Sequence, residues 1–214
     1  MKGHFVVLEG VDGAGTTTQA RLLHEALVRE DVPVHLTAEP SDGPVGMVIR
    51  QALSGRLVVK GMSGLRPPRW PTMALLFAAD RMDHLESEIL PNLADGITVL
   101  SDRYVYSSLI YQTETSGDFG NLPWVETING LAPRPDLTIV LDVGAAEASR
   151  RLRHRREVEQ IYDDGELQER LAQRYRELPA RYAGDRIELV DGNGKPQEVH
   201  RACLELVRDL RGGR

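Results

Sequence analysis

The chain has 214 residues, 41% hydrophobic and 27% charged, an ordinary globular balance with enough length to bury a sizeable core as one domain. Its net charge of −6 argues against a general binder of nucleic acid or membrane surfaces, without forbidding a local cationic pocket. A single cysteine, Cys203, excludes an internal disulfide and a multi-cysteine zinc site.

In chain order, the first apolar run is "HFVVLEG", which reads as a strand. It is too short for the core of a signal peptide and ends in an acid, and no run approaches the length of a membrane span, so a cytoplasmic location is expected. The stretch "GTTTQARLLHEALVRE" follows as a helix with Leu22, Leu23, Ala26 and Leu27 on one stripe. A second strand is expected at "PVHLTAEP". The segment from Leu53 to Pro71 is the least regular and is expected to include a surface loop. Then come a helix at "TMALLFAADRMDHLESEILPNL", a strand at "ITVLSDRY", a helix at "YSSLIYQ" and a strand at "LTIVLDV". A helix at "GAAEASRRLRHRREVEQ", a strand at "RIELVDG" and a helix at "QEVHRACLELVRDL", into which Cys203 packs, complete the set; the tail "RGGR" is expected to fray.

The five strands are rich in Val, Ile, Leu or Thr, the composition of strands buried on both faces. Their alternation with helices predicts an α/β fold, a five-stranded parallel sheet flanked by helices. Ligands in such sheets bind at the carboxyl ends of the strands, where Glu9, Glu39, Asp102, Asp142 and Asp191 fall. Asp142 and Asp191 equally suit ordinary strand-end or turn acids.

Gly10 to Thr17 reads G-x-x-x-x-G-T-T, between a predicted strand and a predicted helix. This is the phosphate-loop pattern with Thr16 in place of its lysine. Gly10, Gly13 and Gly15 allow the tight turn that presents backbone N–H groups to phosphate oxygens, and the following helix adds its positive dipole end. Thr17 occupies the hydroxyl position that holds magnesium. Replacing the lysine's charge-assisted hydrogen bond with a hydroxyl costs roughly 1.5–3 kcal/mol, or about ten- to a hundredfold in rate.

The motifs "LEGVDGAGTTTQ", "AEP", "LLFAADR", "SDRYVYSSLIYQ" and "PDLTIVLDV", taken together, resemble the thymidylate kinase family nearly end to end. The resemblance implies a P-loop fold like that of nucleoside-monophosphate kinases, one kinase domain over 1–214, and a homodimer. It also implies transfer of a phosphoryl group from ATP to dTMP with Mg2+, and no nucleic-acid or membrane partner. Under it Gly10, Gly13, Ala14, Gly15, Thr16, Thr17 and Thr18 hold ATP, and Thr17 and Asp102 serve the metal. Asp12 holds the acceptor 3′-hydroxyl close to the transferring phosphate. Arg103 clamps phosphate, Arg50 lies near the dTMP phosphate, and Glu39 belongs to the family's acid–proline pair. Phe77 and Arg81, four apart on one helix face, stack on the thymine and donate to its carbonyl. Ser108, Tyr111 and Gln112 contact base and sugar, the tyrosine excluding a ribose 2′-hydroxyl.

Two departures stand out. Ala38 replaces an arginine usual in the family before the acid–proline pair, and a lysine is missing at Thr16. The resemblance places a mobile, arginine-rich lid at about 148–165. It implies that Arg151, Arg153 or Arg155 takes over stabilisation of the γ-phosphate, as arginine fingers worth roughly 10³–10⁵ in turnover do elsewhere. The alternatives are a homologue that binds nucleotides without turning them over, or a kinase for a related nucleoside monophosphate.

Overall fold

The computed structural model describes residues 3–61, 64–153 and 165–213. Strand β1 (Phe5–Glu9) leads through the glycine-rich loop into α1 (Thr16–Arg29), then β2 (Val34–Ala38) and α2 (Pro44–Leu53). A two-stranded antiparallel hairpin, β3 (Val59–Gly61) and β4 (Gly64–Arg66), comes next. It gives regular structure to part of the segment expected to include a surface loop. Helix α3 (Trp70–His84) continues through a π-helical turn (Leu85–Ile89) into α4 (Leu90–Ala94). Strand β5 (Thr98–Asp102), α5 (Val105–Thr115), α6 (Leu122–Ile128) and β6 (Leu137–Asp142) follow. Helices α7 (Ala145–Arg153) and α8 (Gly165–Arg181), strand β7 (Ile187–Asp191) and α9 (Pro196–Arg211) end the chain.

The five main strands are parallel, in the order β2-β5-β1-β6-β7. Helices α1 and α9 cover one face, and α3, α5 and α8 pack on the other side. The inner strands β1, β5 and β6 are buried along almost their whole length. The edge strands β2 and β7 are not, contrary to their composition. A residue-type pattern marks a strand but says nothing of whether another strand lies beside it. The central register sets Leu8 opposite Asp102 on one side of β1 and opposite Ile139 on the other. All five carboxyl ends therefore open on one edge.

On α1 the predicted stripe faces the sheet, with Leu23, Ala26 and Leu27 buried and Leu22 half-buried at its margin. Leu23 is fully enclosed in the main core. Leu23→Ala is expected to lower unfolding stability by about 2–5 kcal/mol, read from urea denaturation midpoints at unchanged slope.

Candidate active site

The loop between β1 and α1 turns on glycines whose backbone other residues cannot adopt cheaply. Gly13 has φ +86°, and a Cβ there would sit 2.3 Å from the carbonyl oxygen of Ala148 on α7. No acidic residue occupies the first turn of α1, so its N-terminal N–H groups and positive dipole end face the loop without a competing carboxylate of their own. Thr16 is the first residue of α1 and is buried, so position 16 offers a short hydroxyl at the loop's base in place of a reaching cation.

On one side of this loop lies a cavity of about 440 Å³. Gly13, Gly15, Thr18, Gln19, Arg150 and Lys195 are among the residues that line it. Arg151 forms part of the same wall, its guanidinium donating to Glu147 at 2.7 Å, to Gly192 O at 3.0 Å and to Ala14 O at 3.3 Å. These contacts tie α7 to the loops after β1 and β7, so Arg151 serves the cavity wall in this arrangement. Hydrogen bonds from Arg150 and Arg151 hold the Glu147 carboxyl down at about 2. Of the other expected lid arginines, Arg153 ends α7, and Arg155 and Arg156 lie outside the described residues.

At the other side of the loop, Thr17 Oγ1 donates to Asp102 Oδ2 at 2.5 Å. The second oxygen, Asp102 Oδ1, is buried without a hydrogen-bond partner. A hydroxyl and a carboxylate are hard oxygen donors that suit magnesium, which takes one or two protein ligands and completes its shell with water and phosphate oxygens. Among the described residues no three His, Cys, Asp or Glu side chains converge into a metal cage.

A second cavity, of about 340 Å³, gathers residues from four parts of the chain. Phe77 and Arg81 from α3 meet Ser108, Tyr111 and Gln112 from α5, with Asp12, Arg50, Glu39 and Arg103 also on its wall. The two motif helices do face one another. Arg81, however, is far from solvated: it is 1% exposed and donates to Glu39 Oε2 at 2.5 Å, to Tyr104 O and Ser108 Oγ at 3.0 Å, and to Asn129 Oδ1. Its Nε has no hydrogen-bond partner. Arg50 spans toward the loop after β2, donating to Pro40 O at 2.7 Å, to Asp42 at 2.8 Å and to Ser41 O.

Arg103 sits where the loop and this cavity meet. Its φ of +73° is unusual for a non-glycine residue and costs on the order of 1–3 kcal/mol, an outlier of the kind that collects at functional sites. Its N–H donates to Leu8 O at 2.9 Å and its carbonyl accepts from Ser101 Oγ at 2.7 Å, which hold the strained turn. Arg103 pairs with Asp12 at 2.6 Å and not with its neighbour Asp102. Tyr111 completes the junction, its hydroxyl accepting from Asp12 N at 3.0 Å. Burial pulls the Arg103 pKa down, but Tyr111 and Asp12 outweigh it and hold the guanidinium well above its usual value.

These features converge with the sequence comparisons. The family model described as thymidylate kinase matches residues 8–203. The chain belongs to the thymidylate kinase family. It is 38% identical over 208 residues to a probable thymidylate kinase of Pyrococcus horikoshii, covering 97% of each chain. A probable thymidylate kinase of Pyrococcus abyssi is 39% identical over 208 residues, again with 97% of each covered. One of Thermococcus kodakarensis is 36% identical over 213 residues, covering 97% of this chain and 98% of the relative.

In this family member the strand-end acids divide. Glu39 lines the second cavity and Asp102 meets Thr17 beside the loop. Asp142 instead pairs with Arg176 at 2.8 Å, and Asp191 caps a turn by accepting from Asn193 N at 2.9 Å. Glu9 has a larger structural part than its place at a strand end implied. It is fully buried and accepts from Tyr104 N and Ser107 N at 3.1 Å, Ser107 Oγ at 2.5 Å and Tyr175 Oη at 3.2 Å. Tyr175 comes from α8, for which the sequence reading made no provision. The stretch around it is heavily charged, yet Leu167, Leu171, Tyr175 and Leu178 recur at helical spacing, a signal that could have found it.

Burial raises the Glu9 pKa from 4.5 to about 7. The native state thus keeps a proton that the unfolded chain releases. This contribution to stability is complete below the unfolded value and is lost as pH climbs to about 7. Glu9→Gln is expected to remove that component, flattening stability between pH 4.5 and 7 relative to the parent by on the order of 1 kcal/mol per pH unit. Denaturation midpoints measured across that range check it; an unchanged slope would show that Glu9 does not titrate there.

Proposed function

We propose that the chain transfers the γ-phosphoryl group of ATP to dTMP, giving dTDP and ADP, as a single kinase unit over 1–214. The observation that carries this reading is the junction itself. A glycine-rich phosphate loop opens directly onto a pocket holding an aromatic ring, a buried guanidinium and a strained arginine at the shared corner.

The first cavity takes the ATP adenosine, with Gly10 to Thr18 around its phosphates, and the second takes dTMP. Phe77 offers a face for the thymine and Arg81 a donor edge, while Ser108, Tyr111 and Gln112 close round base and sugar. Asp12 and Arg103 then meet the acceptor at its sugar and phosphate end. An acceptor phosphate oxygen attacks the γ-phosphorus, the bond from that phosphorus to the bridging oxygen breaks, and ADP leaves with the electron pair. No strong base is needed; the chain's task is alignment and neutralisation of charge. Thr17 and Asp102 would hold magnesium, which when bound draws charge from the phosphate oxygens. Arg103 neutralises the acceptor phosphate and needs the loss of little solvation, because it is already held among Asp12, Ser107 and Tyr175.

The lysine missing at Thr16 is offset in this reading by arginines of the 148–165 segment, Arg153 or Arg155 being the reaching groups. Arg151 anchors the donor cavity through Ala14 and Gly192. The protein acts as a homodimer within the cytoplasm.

A coupled ADP-release assay is expected to show turnover with dTMP well above that with dUMP, dCMP or dGMP. Arg103→Ala is expected to cut dTMP turnover by about 10²–10³. Parental turnover in that variant would remove Arg103 from the mechanism, and no turnover with any acceptor would overturn the activity. Thr16→Lys discriminates the source of charge. With arginines already supplying it, turnover is expected to change by less than about tenfold, whereas an uncompensated loss would be recovered as a gain approaching a hundredfold.

A further inference from the structure

Arg81 can present a donor edge to an acceptor base only if its guanidinium plane is fixed. The four partners that hold it include one carboxylate, Glu39, whose Oε2 lies 2.5 Å from Arg81 Nη2. That carboxylate is itself 2% exposed and needs its other oxygen satisfied. The second oxygen, Oε1, faces His84 Nδ1 at 3.4 Å. His84 is wholly buried and lies three residues beyond Arg81 on α3, about one helical turn away, so the two side chains share a face and approach the same carboxylate. It is absent from the lining of the acceptor cavity and cannot touch a ligand there.

We propose that His84 is a positioning residue for the acceptor site: its imidazole fixes the Glu39 carboxylate, and the carboxylate fixes Arg81 against the cavity. The inference rests on the assignment of that cavity to dTMP.

The far side of the ring is anchored as well. His84 Nε2 lies 2.7 Å from Thr37 Oγ1, on the strand that runs directly into Glu39. The ring thus bridges two groups: Nδ1 faces Glu39 Oε1 and Nε2 faces Thr37 Oγ1, while Arg81 donates to the other carboxylate oxygen. Glu88 also faces this side of the ring, its Oε2 lying 3.6 Å from Nε2. Without the ring, Glu39 Oε1 loses its partner, and the carboxylate can rotate about its remaining bond, carrying Arg81 out of plane.

The test is calorimetric titration of thymidine monophosphate and of a non-hydrolysable ATP analogue into the full-length parent and three variants, alongside thermal melts. His84→Ala is expected to weaken thymidine monophosphate binding by about tenfold or more and to leave the ATP analogue within about twofold. His84→Asn, whose amide nitrogen overlies Nδ1, is expected to restore acceptor affinity. His84→Gln, which reaches the Thr37 side, is not. Parental acceptor affinity in His84→Ala, or equal weakening of both nucleotides, overturns the proposal. Should the alanine variant fail to fold, the Asn and Gln variants decide alone, and equal acceptor affinity in the two overturns it. A parent that binds no thymidine monophosphate sinks the assignment of the cavity itself, a result distinct from any pattern among the variants.

Discussion

The adjacency of β1 and β5 in the middle of the sheet is the constraint on which the rest of the site depends. With Leu8 opposite Asp102, the glycine-rich loop leaving β1 and the turn at Arg103 leaving β5 emerge side by side. Two short contacts cross that seam, Thr17 to Asp102 and Asp12 to Arg103. Parallel neighbours cannot be joined by a tight turn, so the seam exists only because long crossovers carry the chain away and back. Those crossovers are α1 and α3, the elements that supply the loop's helix terminus and the Phe77–Arg81 face.

Around the seam the molecule buries carboxyl groups in connected sets. Glu9 gathers the start of α5 and the middle of α8 on one carboxylate, and Glu39 gathers Arg81 and His84. A buried ion pair contributes little net stability once desolvation is counted, since the attraction in a low dielectric does little more than return that cost. The contribution here is geometric: Glu9 accepts from the start of α5 and from α8, and Glu39, just after β2, holds two side chains of α3, so each carboxyl group sets the relative positions of elements. The protein is acidic overall, yet Arg50, Arg81 and Arg103 converge on one cavity, and Arg150 and Lys195 on the other. An acidic chain thus carries a cationic cleft suited to phosphate, with a neutral residue at position 16.

Much of this was legible in the residues. The strands declared themselves as short β-branched runs, the loop by its glycine spacing, and the Phe77–Arg81 face by a separation of four on a helix. The motif around "SDRYVYSSLIYQ" located Ser108, Tyr111 and Gln112 on the second cavity. The small hairpin at 59–66 was not legible, because its strands are three residues each and mostly exposed, with no core-facing alternation to read. Helix α8 was obscured by its density of charge, although its buried apolar residues recur at helical spacing.

Sequence alone determined the α/β class, the loop and its missing lysine, and the placing of Phe77 and Arg81 on one helix face. These follow from periodicity and from spacing within one segment, which neighbouring residues impose on each other directly. Tertiary structure decided which acid each arginine meets. Arg103 turned to Asp12, 91 positions away, in preference to the acid beside it, and Arg81 was enclosed with Glu39 and His84 instead of being left in water. It also decided which strands became edges and which tyrosine closed over Glu9. Such pairings depend on strand order and helix packing, long-range outcomes that no local pattern encodes.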